Sequence, residues 1–283
     1  MTPKAQLSGT STTSSATEEP IELDEVYSTV QRIADNVGQV LVGKPDVVRI
    51  ALVTLLAEGH LLVEDVPGVG KTSLAKALAR SIDCTVSRVQ FTPDLLPSDL
   101  TGVSIYNRQT ENFEFRPGPV FANIVVGDEI NRASPKTQSA LLECMEENQV
   151  TVDGRTYELA APFMVIATQN PIEMEGTYAL PEAQRDRFTA RVSIGYPDPQ
   201  AELAMVDEHA AQDPLAELRP VTDAEEVRAL LKAVRHIHLS TEIRRYVIEL
   251  VSATRELPEL RLGASPRSTL QLVRTARAQA ALA

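Results

Sequence analysis

The sequence has 283 residues, 43% of them hydrophobic, enough for one large domain or two modest ones with a sizeable core. A formal net charge of −12 argues against non-specific nucleic-acid binding, which is driven by neutralising phosphates, and the apolar stretches are too short to span a bilayer. The two cysteines, Cys84 and Cys144, lie far apart outside any CxxC pair, so neither a zinc site nor a disulfide framework is expected, and without a signal-peptide pattern the expected location is cytoplasmic.

Residues 1–20, small, polar and rich in Ser and Thr, are expected to form a disordered tail. From Leu23 the apolar residues fall at helical spacing (Val26, Val30, Ile33, Val37, then Val47, Val48, Ile50, Leu52, Leu55), and the Gly43-Lys44-Pro45 break divides them into two helices. His60–Glu64 reads as a buried strand, followed by a helix from Gly70-Lys71 to Arg80. Further buried strands are expected at 85–90, 124–128, 163–168 and 190–194, with a helix over 135–147 between two of them. Strands alternating with helices predict an α/β fold: a five-stranded parallel sheet covered on both faces, a three-layer sandwich. Two hairpins interrupt it. One spans 149–159 around Asp153-Gly154, and the other, with a looser turn, spans 104–115. Both excursions are long enough to suggest a moving or partner-touching role beside plain surface decoration.

After Tyr196-Pro197-Asp198-Pro199 only helical patterns remain. The expected organisation is therefore an α/β core over 21–198 and a small helical domain over 199–283. The final helix, from about Ser268, reaches the C-terminus without a stop signal, so this domain is expected to be incomplete or covered by a partner.

Three segments carry chemistry. Gly68-Val69-Gly70-Lys71-Thr72, between a strand and a helix, has the form of a phosphate loop, with Asp65 where the usual first glycine stands. Its glycines let backbone N–H groups turn toward phosphate oxygens, and the helix N-terminus adds positive potential. Lys71 is expected to reach the β- and γ-phosphates of ATP, with the Thr72 hydroxyl on Mg²⁺. The expected nucleotide-binding residues are Asp65, Pro67, Gly68, Val69, Gly70, Lys71, Thr72 and Ser73. Asp128 and Glu129 end an apolar strand; Asp128 is expected to bind Mg²⁺, directly or through water, and Glu129 to act as general base. Asn170, just past another buried strand, is placed to touch the γ-phosphate or orient the attacking water, since parallel sheets bind ligands at their carboxyl ends. His60, His209, His236 and His238 share no metal-binding spacing.

Together with these, VGK (42–44), QFTPDLLPSDLTG (90–102), FRPGPVF (115–121), DEINRA (128–133), QSALLECMEE (138–147), ATQNP (167–171), EGTYALPEAQRDRF (175–188) and GASPR (263–267) make the chain resemble an AAA+ ATPase of the MoxR family from about Leu23 onward. Asp65 in place of glycine is itself a trait of that family, whereas Ala179 and Arg185 stand where Pro and Leu are expected. The resemblance implies a P-loop NTPase core with a helical lid, working as a homo-oligomeric ring, usually a hexamer, with ATP at subunit interfaces. It implies that Arg187, with Arg185 as a second candidate, acts as an arginine finger on the neighbouring site, and that Arg267 of the lid reads the γ-phosphate in cis. Both hairpins would face the ring pore or a client. Chaperone-like remodelling or cofactor insertion is implied, often with a von Willebrand factor A partner protein. The motor subunit of a metal chelatase and a slow nucleotide-gated switch are alternatives; a DNA-translocating motor is disfavoured by charge.

Overall fold

The computed structural model describes residues 21–65, 69–170, 178, 180–196 and 214–283. The expected tail over 1–20, Pro67, Gly68, His209, Ala179 and the proposed domain boundary at 198 lie outside them. Five strands form one parallel sheet: β1 (Leu61–Glu64), β2 (Val86–Gln90), β5 (Ile124–Asp128), β8 (Met164–Gln169) and β9 (Ala190–Val192), in the order β2-β5-β8-β1-β9. The three inner strands are short apolar runs because a parallel sheet covered on both faces has no polar side to present. Every residue of β5 is buried, including Asp128 at its end.

On one face, α1 (Leu23–Gly38), α2 (Pro45–Leu56) and α3 (Lys71–Ser81) pack through Val30, Ile33, Leu52, Leu74 and Leu78. On the other, α5 (Pro135–Glu147) and the five-residue α4 (Pro97–Thr101) cover Leu62, Val125 and Val165. The α5 helix starts where the Ser134 Oγ accepts from the Thr137 N–H and stops at Asn148, whose left-handed φ of 50° suits an Asn. Gly127 admits the Phe91 ring: a Cβ there would lie 3.0 Å from Cε2. Both cysteines are free, and burial pushes each thiol up to about 12.

Both expected hairpins form. β3 (Gly102–Asn107) and β4 (Asn112–Pro117) make a longer ribbon than the alternation suggested. β6 (Gln149–Val152) and β7 (Arg155–Glu158) close on Asp153 and Gly154, both at positive φ as a two-residue hairpin turn requires. The ribbons pack together, with Phe115 stacked on Tyr157 at 4.1 Å between ring centroids. Ile105, Tyr106 and Phe113 remain exposed.

Beyond the sheet, the described residues form helices: α6 (Glu182–Arg185) before β9, then α7 (Pro214–Glu217), α8 (Ala224–Arg235), α9 (Thr241–Glu256) and α10 (Pro266–Ala280). Val227, Leu230, Val234 and Ala278 from α8 and α10 join the core formed by α1 and α2. Thr29 and Arg32 of α1 meet Glu226 of α8 at 2.9 and 3.0 Å. Among the described residues, no helix is long and apolar enough to cross a membrane.

His60, one residue before β1, ties strands to helix. Its Nδ1 accepts from the Val165 N–H at 3.0 Å and its Nε2 donates to the Met145 carbonyl at 3.0 Å. Desolvation lowers its pKa to about 4, so the folded protein keeps it neutral while the unfolded chain, at 6.5, takes up a proton. Its contribution is intact above pH 6.5 and falls as pH drops toward 4, a loss of about 3 kcal/mol. Urea unfolding at pH 7 and pH 4.5 is expected to show a smaller acid loss for His60→Gln than for the parent chain. Equal losses would show that His60 does not set this slope.

Candidate functional site

At the carboxyl end of the sheet, three elements converge on one buried carboxylate. The Asp128 Oδ2 accepts from the Arg88 Nε at 2.6 Å and lies 3.4 Å from the Thr72 Oγ1; its Oδ1 accepts from the Thr168 Oγ1 at 3.3 Å. Burying a carboxylate is costly unless it is paired and hydrogen-bonded, and β2, α3 and β8 each supply a partner. The next residue, Glu129, turns the chain at a left-handed φ of 58°. Its N–H donates to the Thr168 Oγ1 at 3.0 Å, and its Oε2 accepts from the Gln90 Nε2 at 2.9 Å and the Arg132 Nη1 at 3.3 Å. Thr168 thus fixes both acids at once.

Beside them, Gly70 caps α3 at φ 91°, a left-handed conformation that favours glycine, and has no side chain to bond the first-turn amides. These donors and the helix dipole suit an anion. The Lys71 ammonium donates to the Asp65 carbonyl at 2.7 Å. Val69 packs against the core, and Ser73 is partly buried in the first turn of α3. Asn170, nearly buried, follows Gln169, whose carbonyl accepts from the Asp65 N–H at 3.2 Å; this sets Asn170 level with the entry to the loop.

The Asp65 carboxylate also reaches the strand at the sheet's edge. Its Oδ2 accepts from the Ser193 Oγ at 3.0 Å and from the Gly195 N–H at 2.6 Å, tying the loop's entry to the segment leaving β9. A cleft of about 560 Å³ adjoins the loop, lined by Tyr27, Val30, Leu41, Gly43, Lys44 and Leu282 among others. Leu41 reaches within 3.3 Å of where a Gly70 Cβ would stand.

The two matched arginines lie at the other end of the sheet. The Thr189 N–H donates to the His60 carbonyl at the start of β1, and Arg187 sits just before it. That is roughly 15 Å along β1 from the loop. The Arg187 Nε and Nη2 contact the Glu146 Oε2 at 3.1 and 3.0 Å, and its Nη1 donates to the Ala183 carbonyl at 3.0 Å. Arg267 donates to the Glu146 Oε1 and lies 3.6 Å from the Asp186 Oδ2. The expectation that Arg267 reads the γ-phosphate of its own subunit is therefore corrected: α10 begins against Asp186 and Glu146, far from Lys71. Arg185 is exposed.

The oxygens of Thr72 and Asp128 fit Mg²⁺, a hard cation commonly held by one or two carboxylates together with phosphate oxygens. Among the described residues no cluster of three His, Cys, Asp or Glu could hold a metal by itself, as this mode of binding does not require one. Arg88, Gln90, Arg132, Thr168 and Glu146 escaped the sequence reading. Strand periodicity puts residues 88 and 90 on one side of β2, the single signal available for that pair.

A parallel sheet in this order, with a Lys-Thr helix start after β1 and an Asp-Glu turn after β5, defines a P-loop ATPase fold of the AAA+ class. Residues 60–190 match the ATPase family associated with various cellular activities (AAA). The chain is 50% identical to YeaC of Bacillus subtilis over 259 residues, covering 92% of this chain and 81% of YeaC. It is 41% identical to Chaperone MoxR1 of Mycobacterium tuberculosis, covering 89% of this chain and 69% of that one. A crystal structure of a candidate ATPase from Cytophaga hutchinsonii superposes with a TM-score of 0.83 at 40% identity, over 92% of this chain and 82% of the other. The chain belongs to the MoxR family of AAA+ ATPases.

Thr168→Val preserves shape but removes the hydroxyl shared by Asp128 and Glu129. Leaving these buried groups short of a partner is expected to cost about 1–3 kcal/mol in urea unfolding. An unchanged midpoint would show that the Thr168 hydroxyl does not hold the turn.

Proposed function

We propose that the chain binds ATP with Mg²⁺ and hydrolyses it between neighbouring copies in a homo-oligomeric ring, a hexamer by resemblance, to remodel partner protein complexes. The observation that carries this reading is the separation of polar groups to opposite ends of one sheet. Lys71, Thr72, Asp128, Glu129 and Asn170 gather at the carboxyl end, while Arg187 and Arg267 gather at the amino end on Glu146. Arginines so placed are out of reach of their own loop and serve a phosphate presented by the next copy.

In this reading Gly68, Val69, Gly70 and Ser73 complete the cradle around the phosphates, with Pro67 shaping its entry. Lys71 binds the β- and γ-phosphates, and the cleft beside Gly43 and Lys44 takes the base. Thr72 and Asp128 hold Mg²⁺, which when bound neutralises charge developing on the phosphate oxygens. Glu129, oriented by Gln90 and Arg132, takes the proton of the attacking water, and Asn170 orients that water. Arg187 and Arg267 stabilise the transferring phosphoryl group from the neighbouring subunit, with 199–283 serving as the lid.

The paired hairpins, with Ile105, Tyr106 and Phe113 exposed, are the surface proposed to meet a client. The name of MoxR1 as a chaperone supports that role. A von Willebrand factor A partner protein is carried over from the family resemblance.

Three variants test the assignment. Lys71→Ala is expected to lose nucleotide binding. Glu129→Gln is expected to bind ATP but lose about 10²–10⁴-fold in turnover. Arg187→Ala is expected to bind ATP while turnover falls about 10³-fold or more. Mixed with Lys71→Ala subunits, Arg187→Ala should recover activity, because intact loops then face intact arginines across interfaces. Wild-type turnover by Glu129→Gln rules out the general-base role; no recovery in the mixture rules out the role in trans.

A further inference from the structure

Among the described residues, Glu146 is the one side chain on which both arginines meet. It occupies the last turn of α5, and each of its oxygens takes a different guanidinium: Oε2 faces Nε and Nη2 of Arg187, and Oε1 accepts from Arg267. The side chains of Glu146, Arg187 and Arg267 are 34%, 26% and 33% exposed, so solvent screens their attraction and the cluster contributes little to stability. Its geometry is nevertheless closely determined. The carbonyl of the preceding residue, Met145, is fixed by the buried His60 ring at 3.0 Å. Arg187 is anchored a second time on the Ala183 carbonyl.

Arg267 is fixed through its helix. The Asp186 carboxylate accepts from the Ser265 Oγ and the Ser268 Oγ at 2.7 Å each, joining the start of α10 to the residue next to Arg187. Without an anion between them, two guanidiniums at this range repel and their long side chains regain rotamer freedom. With it, they stand side by side, the arrangement needed to meet two oxygens of one phosphoryl group at once.

We propose that Glu146 is the positioning residue of the arginine pair: its carboxylate holds Arg187 and Arg267 together so that the terminal phosphate of a neighbouring subunit's ATP meets both. This rests on the interfacial role proposed above for the two arginines. Glu146 itself contacts neither nucleotide nor water in the reaction. Its effect passes through the entropy and orientation of the pair, and so falls on turnover rather than on nucleotide binding at the subunit's own loop.

The test uses the full chain, with steady-state ATPase kinetics and binding of a fluorescent ATP analogue. Glu146→Gln keeps the shape but turns an amide donor toward one arginine. It is expected to lower kcat about 10- to 100-fold while KM and analogue affinity hold. Glu146→Asp, which keeps the charge and withdraws it by one methylene, is expected to retain more turnover than Glu146→Gln. In an Arg187→Ala, Arg267→Ala background, Glu146→Gln is expected to add nothing, because there is no pair left to position. Wild-type kcat for Glu146→Gln overturns the proposal, as does a loss that persists undiminished in the double-alanine background, which marks a structural role. If the double-alanine chain itself turns over normally, the interfacial reading of the arginines fails and this proposal with it; a normal defect there beside a silent Glu146→Gln overturns this proposal alone.

Discussion

The carboxyl end of the sheet is organised around one constraint: Asp128 is a charge buried at the end of a strand with no exposed residue. A buried carboxylate left alone costs several kcal/mol, so neighbouring elements must bring it donors (about 3–5 kcal/mol when a buried pair loses a partner). The guanidinium of Arg88 comes from β2, the hydroxyl of Thr168 from β8 and that of Thr72 from the first turn of α3. Satisfying Asp128 therefore fixes the register of three elements against β5. The same contacts set the start of α3 beside the Glu129 turn, which is the juxtaposition that phosphoryl-transfer chemistry needs. The stability requirement and the proposed catalytic one are met by the same atoms.

At the amino end of the sheet the constraint differs. There the buried polar group is His60, neutral because burial disfavours its charged form. Being neutral, it can accept at one nitrogen and donate at the other, and it links β8 to the last turn of α5 without needing a counter-ion. Charge at this end is kept at the surface instead, in Glu146, Asp186 and the two arginines. One end of the sheet buries its acid; the other buries a neutral ring and keeps its cations at the surface.

Much of this was legible in the sequence, and the reasons are specific. The inner strands show as apolar runs because both of their faces are covered, and Lys71, Thr72, Asp128 and Glu129 stand out by order and local context. Arg88 and Gln90 did not stand out, because polar residues alternating on an edge strand look the same whether they face water or a carboxylate on the neighbouring strand. Glu146 was hidden in an acid-rich helix end. The bonds from the Asp65 carboxylate to Ser193 and Gly195 were hidden for a related reason, since the first is made across 128 residues of sequence. The position of Arg267 depends on how α10 docks, and no local pattern encodes that docking.

One helix, α5, runs from the Glu129 end of the sheet to the Glu146 end. α5 runs from Pro135, shortly after the Glu129 turn, to Glu147, with Glu146 in its last turn, and its 13 residues span about 20 Å. Leu141, Leu142 and Met145 pack it closely against the sheet, which leaves little room for local bending. Asn148 then reverses the chain into β6, whose hairpin stacks through Tyr157 on Phe115 of the other ribbon. Along this one stretch of chain lie the acid proposed to activate water, the carboxylate proposed to hold the arginines, and one of the two hairpins proposed to meet a client. A displacement of the Glu129 turn therefore has a short and stiff covalent route to the other two. Each ribbon is rooted at the end of a helix, β3 on α4 and β6 on α5, so both excursions leave the compact sheet without crossing its core.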